Sequence, residues 1–405
     1  MKNKYFLVYG LGKSGLAAID LLLNDSKEII AVDKNLDENI KNKYKNVLFF
    51  NENENIDLSN VQTIILSPGI SSDNNLIKKA KEKNIEILSE IELVLRKIKT
   101  KCIAITGTNG KSTLTSLITH ILNYNNIKAV ACGNIGYPLS KAFLEQKDTI
   151  FVIELSSFQL EILKSKRFDA AIIINITPDH LDRYKTFKEY EEAKLNILNG
   201  LKKNKSLYLP KQLLKKINNN INLKIIRNNL LEIAKKVCSD LNIKKNNIDE
   251  AIKTFKSLEH RIEFVKEINN IKFYNDSKAT NIDSLIYAVK QFENKIILIA
   301  GGIDKNLSFK KCSKYFQNKV KSIIAIGNTK HKIKDELKEF NVMLEESLKD
   351  AILKAFSLAK SSDVILLSPG CSSFDMFKNF EDRGQQFKKL VNSLQEDGCL
   401  KEIQL

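Results

Sequence analysis

Short apolar runs that end in a polar or glycine-rich turn, each followed by a stretch with helical spacing, recur along the whole chain. In the first ninety residues "YFLVY", "IIAVD" and "TIILSPG" are such runs, and "NNLIKKAKEKN" and "EIELVLRKI" read as helices. A run that is apolar on both faces belongs between two layers, so the alternation predicts a parallel sheet with crossover helices. The rhythm restarts at "KCIAITGTNGKST" and continues through "TIFVIELSS" and "DAAIIINITPDHLDRY". It restarts once more near "SLEHRIEFV", with "KIILIAGG", "SIIAIG" and "DVILLSPG" as strands and "SLKDAILKAFSLAK" as a helix. Between about 200 and 250 the pattern turns polar and Asn/Lys-rich, which reads as peripheral helices with loose connections. The expectation is an α/β protein of three domains in series, at 1–94, 95–258 and 259–405.

Composition changes this picture little. A chain of 405 residues exceeds one ordinary core. No apolar run reaches the roughly 20 residues of a membrane helix, and the opening "MKNKYFLVYG" reads as a strand rather than a leader. The expected setting is cytoplasmic, with no membrane insertion. Six cysteines and four histidines form no C-x-x-C or H-E-x-x-H spacing, so buried free thiols are expected rather than zinc or disulfides. The net charge of +17 comes from lysines scattered among Asn, Ile and Glu, without an Arg-rich tract. That distribution predicts a solvated surface and no nucleic-acid partner.

The chemistry concentrates at turns. Gly10, Gly12 and Gly15 in "VYGLGKSG" spell G-x-G-x-x-G, and Asp33 ends the next apolar run about twenty residues on, the outline of a dinucleotide-binding turn. In "CIAITGTNGKSTLTSLITHIL", Cys102 to Ile105 is a strand, and Leu114, Leu117, Ile118 and Ile121 recur at helical spacing. Gly107 and Gly110 let the backbone curl so that its N–H groups and the helix start face a phosphate. Lys111 then reaches terminal phosphates, and Ser112 offers a hydroxyl to Mg²⁺. Ile105 occupies the place of the first glycine of the longer phosphate-loop pattern, leaving the shorter G-x-x-G-K-S.

Two more strands of this domain end in polar residues. One run ends at Glu154, the other at Thr177 with His180 and Asp182 just beyond. Carboxyl ends of parallel strands share a rim where ligands bind, so Glu154 and His180 are expected near the loop, as metal or substrate ligands. Taken singly, each also reads as an ordinary strand-end carboxylate or helix-capping contact. Lys194 falls on the apolar stripe of Phe187, Tyr190, Ile197 and Leu198. A buried amine there suits a nucleophile or a site of carbamylation. A stem that snorkels to water is the other reading.

Together these segments resemble the Mur ligases, ATP-dependent amide-forming enzymes of peptidoglycan precursor synthesis. "GTNGKST" is shared across that superfamily; "GNIG", "ELSSFQLE", "NITPDHLDRY", "YNDSKATN" and "LSPGCSSFDMFKNFEDRGQQF" are similar to its D-glutamate-adding branch. The resemblance implies a Rossmann-like N-terminal domain for the UDP-substrate, a central P-loop ATPase-like parallel sheet for ATP, and a C-terminal Rossmann-like domain for amino acid and nucleotide. It implies that Gly107, Thr108, Asn109, Gly110, Lys111, Ser112 and Thr113 hold ATP phosphates, with Asn229, Arg261 and Asp276 on the nucleoside. Two Mg²⁺ are implied, one on Ser112 and Glu154, one on His180 and Lys194, with Lys194 as a carbamate. Lys111, His180 and Lys194 are the implied catalytic groups.

For the substrates, UDP-N-acetylmuramoyl-L-alanine is implied at Gly10, Leu11, Gly12, Lys13, Asp33, Ser67, Pro68 and Gly69, and at Asn134, Ser156, Gln159 and His180. D-glutamate is implied at Lys278, Thr280, Lys305, Ser373 and Phe380, where two lysines and hydroxyls meet two carboxylates. A monomer is expected, with the third domain closing over the site. The family's adenine-seating segment survives here only as "IIRNNLLEIA", with Asn229 at the first Asn and Glu232 at the second; Lys34 and Asn35 replace the usual Thr-Arg after the acidic residue. The competing readings are a folylpolyglutamate synthase, a nicotinamide-dependent oxidoreductase built on the first glycine turn, and a nucleic-acid-dependent ATPase.

Overall fold

The structure is a computed structural model, and it describes residues 4–70, 74–180, 183–217, 221–256, 258–304 and 308–395. The chain forms two compact units, Met1–Ile176 with Lys188–Phe255, and Thr177–Phe187 with Lys256–Leu405.

The N-terminal unit holds two parallel sheets. The first contains β1 (Tyr5–Tyr9), β2 (Glu28–Asp33), β3 (Val47–Asn51), β4 (Val61–Leu66) and β5 (Glu86–Ser89), in the order β3-β2-β1-β4-β5. Its strands are apolar on both faces because both are covered: Leu7, Tyr9 and Ile64 pack into one cluster, Val8, Ala31 and Ile65 into another. Connections leave β1 first toward β2 and later toward β4, so the strand order reverses beside the end of β1, where Gly10 begins.

The second sheet contains β6 (Cys102–Thr106), β7 (Ala129–Gly133), β8 (Ile150–Glu154), β9 (Phe168–Ile173), β10 (Leu201–Pro210) and β11 (Asn222–Ile226), in the order β11-β10-β9-β6-β8-β7. Ile105 pairs with Glu154 and Thr106 with Ile173, so the end of β8 lies level with the phosphate loop that follows β6. Two expectations are corrected here. The Asn/Lys-rich stretch holds two strands, β10 and β11, and only Leu230–Asp240 and Lys245–Thr254 of it are α-helical. Of the two only β11 is an edge strand; the lysines of β10, Lys202, Lys203 and Lys205, fall before its pairing with β11 begins at Ser206, and there they hide its period. The run expected to reach Thr177 leaves the sheet at Ile173.

The C-terminal unit holds β12 (Glu263–Ile268), β13 (Ile271–Asn275), β14 (Ile296–Gly301), β15 (Val320–Ile326), β16 (Val342–Leu344) and β17 (Val364–Leu367), in the order β12-β13-β17-β14-β15-β16. Only β12 runs antiparallel to its neighbour. Cys102, Cys132, Cys238, Cys312 and Cys371 are buried free thiols, and no described cluster of His, Cys, Asp or Glu has the makings of a metal site on its own. Cys399 lies outside the described residues.

Candidate active site

In the first glycine turn, Gly10 has φ +91° and hydrogen-bonds the Val32 carbonyl through its N–H at 2.8 Å. The Ser67 hydroxyl donates to the Gly10 carbonyl at 2.7 Å, tying the turn to the Ser67–Gly69 corner after β4. Gly15 is glycine for packing: a Cβ there would lie 1.9 Å from the Gly10 carbonyl oxygen. Gly12 and Gly69 face open space, with nothing within 4 Å of an added Cβ. Asp33 accepts the Leu11 N–H at 2.5 Å on one oxygen and the Asn35 N–H at 2.9 Å on the other. Of the loop amides that sequence places around an anion, that of Leu11 is thus turned to Asp33. Lys13 opens the Lys13–Asn24 helix and is exposed. Pro68 is half-buried.

The second turn is held more tightly. Thr108 N–H donates to the Asn175 carbonyl at 3.0 Å, and Asn109 N–H to Asn175 Oδ1 at 2.9 Å. Gly110, at φ +85°, precedes the Lys111–Tyr124 helix, and a Cβ there would lie 2.9 Å from Leu230. Lys111 curls back over its own loop, its Nζ donating to the Gly107 carbonyl at 2.8 Å and to Thr108 at 2.9 Å. Ser112 is buried in the first helical turn, with Thr113 half-buried beside it. The Thr108 hydroxyl lies 3.1 Å from Tyr190 Oη.

Lys194 does not snorkel. It is 2% exposed, its Nζ lies 4.8 Å from the centre of the Tyr190 ring, and it donates to the Gly107 carbonyl at 2.9 Å. The two lysines singled out from sequence therefore meet on one carbonyl oxygen of the phosphate loop. Glu154 is 1% exposed at the end of β8 and accepts from Asn134 Nδ2 at 2.7 Å. Asn134 also donates its N–H to the Glu154 carbonyl at 2.9 Å, so the "GNIG" corner and the carboxylate hold each other. Ser156 and Gln159 form a capping box on the short Ser157–Leu160 helix. Asn229 caps the Leu230–Asp240 helix, its Oδ1 accepting the Glu232 N–H at 3.1 Å.

In the C-terminal unit, Asp276 directly follows β13 and is 7% exposed, with Ser368 donating to it at 2.8 Å and the Ile262 N–H at 3.3 Å. Burial pushes its carboxyl up to about 7, with Ser368 and then Arg261 opposing that rise. Arg261 lies in a turn whose neighbours, His260 and Ile262, both have positive φ (62° and 48°). Such a conformation is costly for a β-branched residue, and the hydrogen bond from Ile262 to Asp276 holds it. Lys278 Nζ stands 4.8 Å from the centre of the Phe380 ring, and its N–H donates to the His260 carbonyl at 3.1 Å. Ser373 is buried and Thr280 half-buried.

His180 belongs to this unit. It has φ +54° and donates its N–H to Asp179 at 2.9 Å, while Asp179 accepts Asn281 Nδ2 at 3.0 Å. Lys305 and Asp182 lie outside the described residues.

Sequence reading passed over several residues that build these sites. Arg383, 1% exposed, donates to the Ser277 hydroxyl at 2.9 Å and to the carbonyls of Ser277 and Cys371 at 2.8 and 3.2 Å. It thereby ties the segment bearing Lys278 to the segment bearing Ser373. Desolvation lowers its guanidinium to about 10. Asn175 braces the phosphate loop. It follows an apolar run directly, the signal that revealed Glu154.

A preformed phosphate loop on a parallel sheet, in a chain with two further α/β sheets, defines a nucleotide-dependent enzyme of three α/β modules. Three family models match in sequence order: the MurD-like N-terminal domain of Mur ligases over residues 4–89, the Mur ligase middle domain over 105–275, and the Mur ligase glutamate ligase domain over 260–371. The UDP-N-acetylmuramoylalanine–D-glutamate ligase of Protochlamydia amoebophila is 38% identical, covering 97% of this chain and 98% of that protein. The protein of the same name from Caldicellulosiruptor bescii is also 38% identical, with the same coverage of both chains. Among solved structures, the UDP-N-acetylmuramate–alanine ligase of Thermotoga maritima shares the fold at a TM-score of 0.60 and 16% identity, covering 97% of this chain and all of that one. The chain belongs to the Mur ligase family.

Proposed function

We infer that this chain is an ATP-dependent, ADP-forming ligase that joins D-glutamate to UDP-N-acetylmuramoyl-L-alanine in peptidoglycan precursor synthesis. The observation that carries the reading is identity of 38% to relatives of that activity along 97% of the chain, which leaves no module to a folate, nicotinamide or nucleic-acid activity.

The first step joins an L-alanyl carboxylate to the γ-phosphorus of ATP, giving an acyl phosphate and ADP. The D-glutamate amine then attacks the activated carbonyl, phosphate leaves from the tetrahedral intermediate, and the amine's proton passes to solvent or base. Because the first step brings an anion onto a polyanion, cations must offset the repulsion. Lys111 is the group for this: its Nζ rests on the Gly107 and Thr108 carbonyls and is available to exchange them for phosphate oxygens. The Gly107–Thr113 amides and helix start would hold the remaining phosphate charge.

Ser112 and Glu154 are hard oxygen donors, both buried, and suit Mg²⁺, which when bound would neutralise phosphate charge. A carbamate on Lys194 turns a buried cation into an anionic oxygen donor, and His180 joins it as a proposed ligand of a second ion. Gly10–Lys13, Asp33 and Ser67–Gly69 hold the UDP, and Asn134, Ser156, Gln159 and His180 hold the sugar and peptide. Arg261, Asp276 and Asn229 serve the nucleoside. Lys278, Thr280, Lys305, Ser373 and Phe380 receive D-glutamate. In this reading 1–94, 95–258 and 259–405 are the acceptor, ATP and amino-acid domains of a cytoplasmic monomer.

The test is ADP release with UDP-N-acetylmuramoyl-L-alanine, offering D-glutamate, L-glutamate or L-lysine. Stimulation confined to D-glutamate is expected, and its absence would sink the reading. For the carbamate, ¹³C-bicarbonate should give a carbamate resonance that Lys194→Arg abolishes; an unchanged spectrum removes it from Lys194.

A further inference from the structure

The Glu90–Leu95 helix connects β5 of the first sheet to the segment leading into β6 of the second, and no ligand contact is proposed for it. Yet two of its carboxylates are almost fully buried, Glu90 at 3% and Glu92 at 0% exposure. Glu92 is saturated. One oxygen accepts the N–H groups of Lys164 and Ser165, both at 3.0 Å, and the other accepts the Ser165 hydroxyl at 2.6 Å and Arg96 Nε at 3.2 Å. Glu90 accepts the N–H of Ser140, in the first turn of the Leu139–Glu145 helix. At the far end Arg167 Nε donates to the Leu95 carbonyl at 3.1 Å.

What these carboxylates grip is the continuation of two loops. The segment that ends at Ser140 begins at Asn134, and its corner is closed by a hydrogen bond from Gly133 N–H to the Tyr137 carbonyl at 2.8 Å. The segment that ends at Lys164 begins with Ser156 and Gln159 in their capping box. The Leu139–Glu145 helix also packs on the Lys13–Asn24 helix of the first glycine turn, as does the Glu90–Leu95 helix itself. Burying carboxylates at a junction costs more than packing leucine there, so their presence argues for orientation rather than stability.

We propose that Glu90 and Glu92 are positioning residues for the nucleotide-sugar acceptor: they fix the two loops that carry Asn134, Ser156 and Gln159 against the sheet that carries the first glycine turn. The proposal rests on the reading above that the acceptor spans these two sheets. Burial raises the Glu90 carboxyl to about 7, opposed by the amide and hydroxyl of Ser140. Among the described residues the Cys132 thiol also faces it, itself pushed well up by burial. Glu90 therefore gains its charge as pH rises through neutrality, and the charged form grips the Ser140 N–H more strongly.

The experiment measures initial rates of the full-length enzyme against each substrate in turn, from pH 6 to 8.5, with melting followed in parallel. Glu90→Ala and Glu92→Ala are expected to raise KM for the UDP-linked acceptor about 10-fold, leaving kcat within about threefold and KM for ATP unchanged. Wild-type KM for the acceptor should fall as pH rises through about 7, and Glu90→Gln, which keeps an acceptor oxygen, should keep a low KM and lose that inflection. An equal rise in all three KM values, or no rise, overturns the proposal. Should the alanine variants not fold, the Glu90→Gln inflection decides: its persistence overturns the proposal. A wild type without D-glutamate-dependent turnover defeats the functional reading instead, and calorimetric acceptor affinity of the same variants then tests the positioning claim alone.

Discussion

Gly12 and Gly110 occupy the same station in two sheets: each follows a parallel strand's turn and immediately precedes a helix that opens with lysine. Gly12 sits at φ −70°, a conformation open to any residue, and its lysine, Lys13, points away into solvent. Gly110 sits at φ +85°, and Lys111 curls back onto the carbonyls of Gly107 and Thr108. The first turn is braced from outside, by Ser67 and Asp33, and leaves its crest bare. The second is filled, with Lys111 and Lys194 on one carbonyl and Leu230 against Gly110. In the proposed reading the same device, amides and a helix start presented to an anion, serves docking in one sheet and phosphoryl transfer in the other. A lysine that touches the loop separates them.

The sharpest way to break that contrast is to remove the two lysines in turn. Lys111→Ala should lower kcat on the order of 10³-fold, as loss of a group that meets charge developing in the transition state. Lys13→Ala should leave kcat within about threefold and instead raise KM for the UDP-linked acceptor a few-fold, as expected of an exposed, screened charge that only helps dock the diphosphate. Steady-state ADP release measures both, and comparable losses in the two variants would erase the distinction.

The glycines sharpen it next. Gly15→Ala sets a methyl 1.9 Å from a backbone oxygen, and should cost about 3 kcal/mol of stability through forced displacement of the turn. Gly12→Ala meets no atom within 4 Å and should melt like the parent, while raising KM for the acceptor because its methyl occupies the bare crest. Differential scanning calorimetry beside the rate assay separates the two. A stable Gly15→Ala would show that the turn yields to the methyl, and an unchanged KM for Gly12→Ala would show that the crest is not where the diphosphate docks.

How much of this was legible depended on which face of an element met water. Strands β1, β2, β6, β8, β14, β15 and β17 each hold four or more consecutive apolar residues, which the sequence shows as a run. β10 opens with Lys202, Lys203 and Lys205 ahead of its pairing with β11, and β11 carries Lys224 at the sheet's edge, so their alternation was lost in a polar stretch. Among site residues, those in short glycine patterns were readable because glycine reports backbone geometry. Lys194 was readable because a charge broke an apolar stripe. Arg383, Glu90 and Glu92 were not: each is a charged residue on a helix, where a solvated face is the ordinary expectation, and only tertiary packing turns it inward.

The smallest effect tests whether the helix behind the second turn belongs to the nucleotide or only to the fold. Asn229 caps the Leu230–Asp240 helix, whose first side chain packs on Gly110. Asn229→Ala should cost about 1 kcal/mol by exposing the Glu232 N–H, whereas Asn229→Ser keeps a capping oxygen and should hold the parent's melting temperature. If the amide also contacts the base of ATP, the two variants should show the same rise of a few-fold in KM for ATP despite their different stabilities. If it only caps, KM for ATP should follow stability and move in the alanine variant alone. The distinction is readable because the cap uses only the carbonyl oxygen of the side chain. A base contact would call on the NH₂ group, which serine lacks.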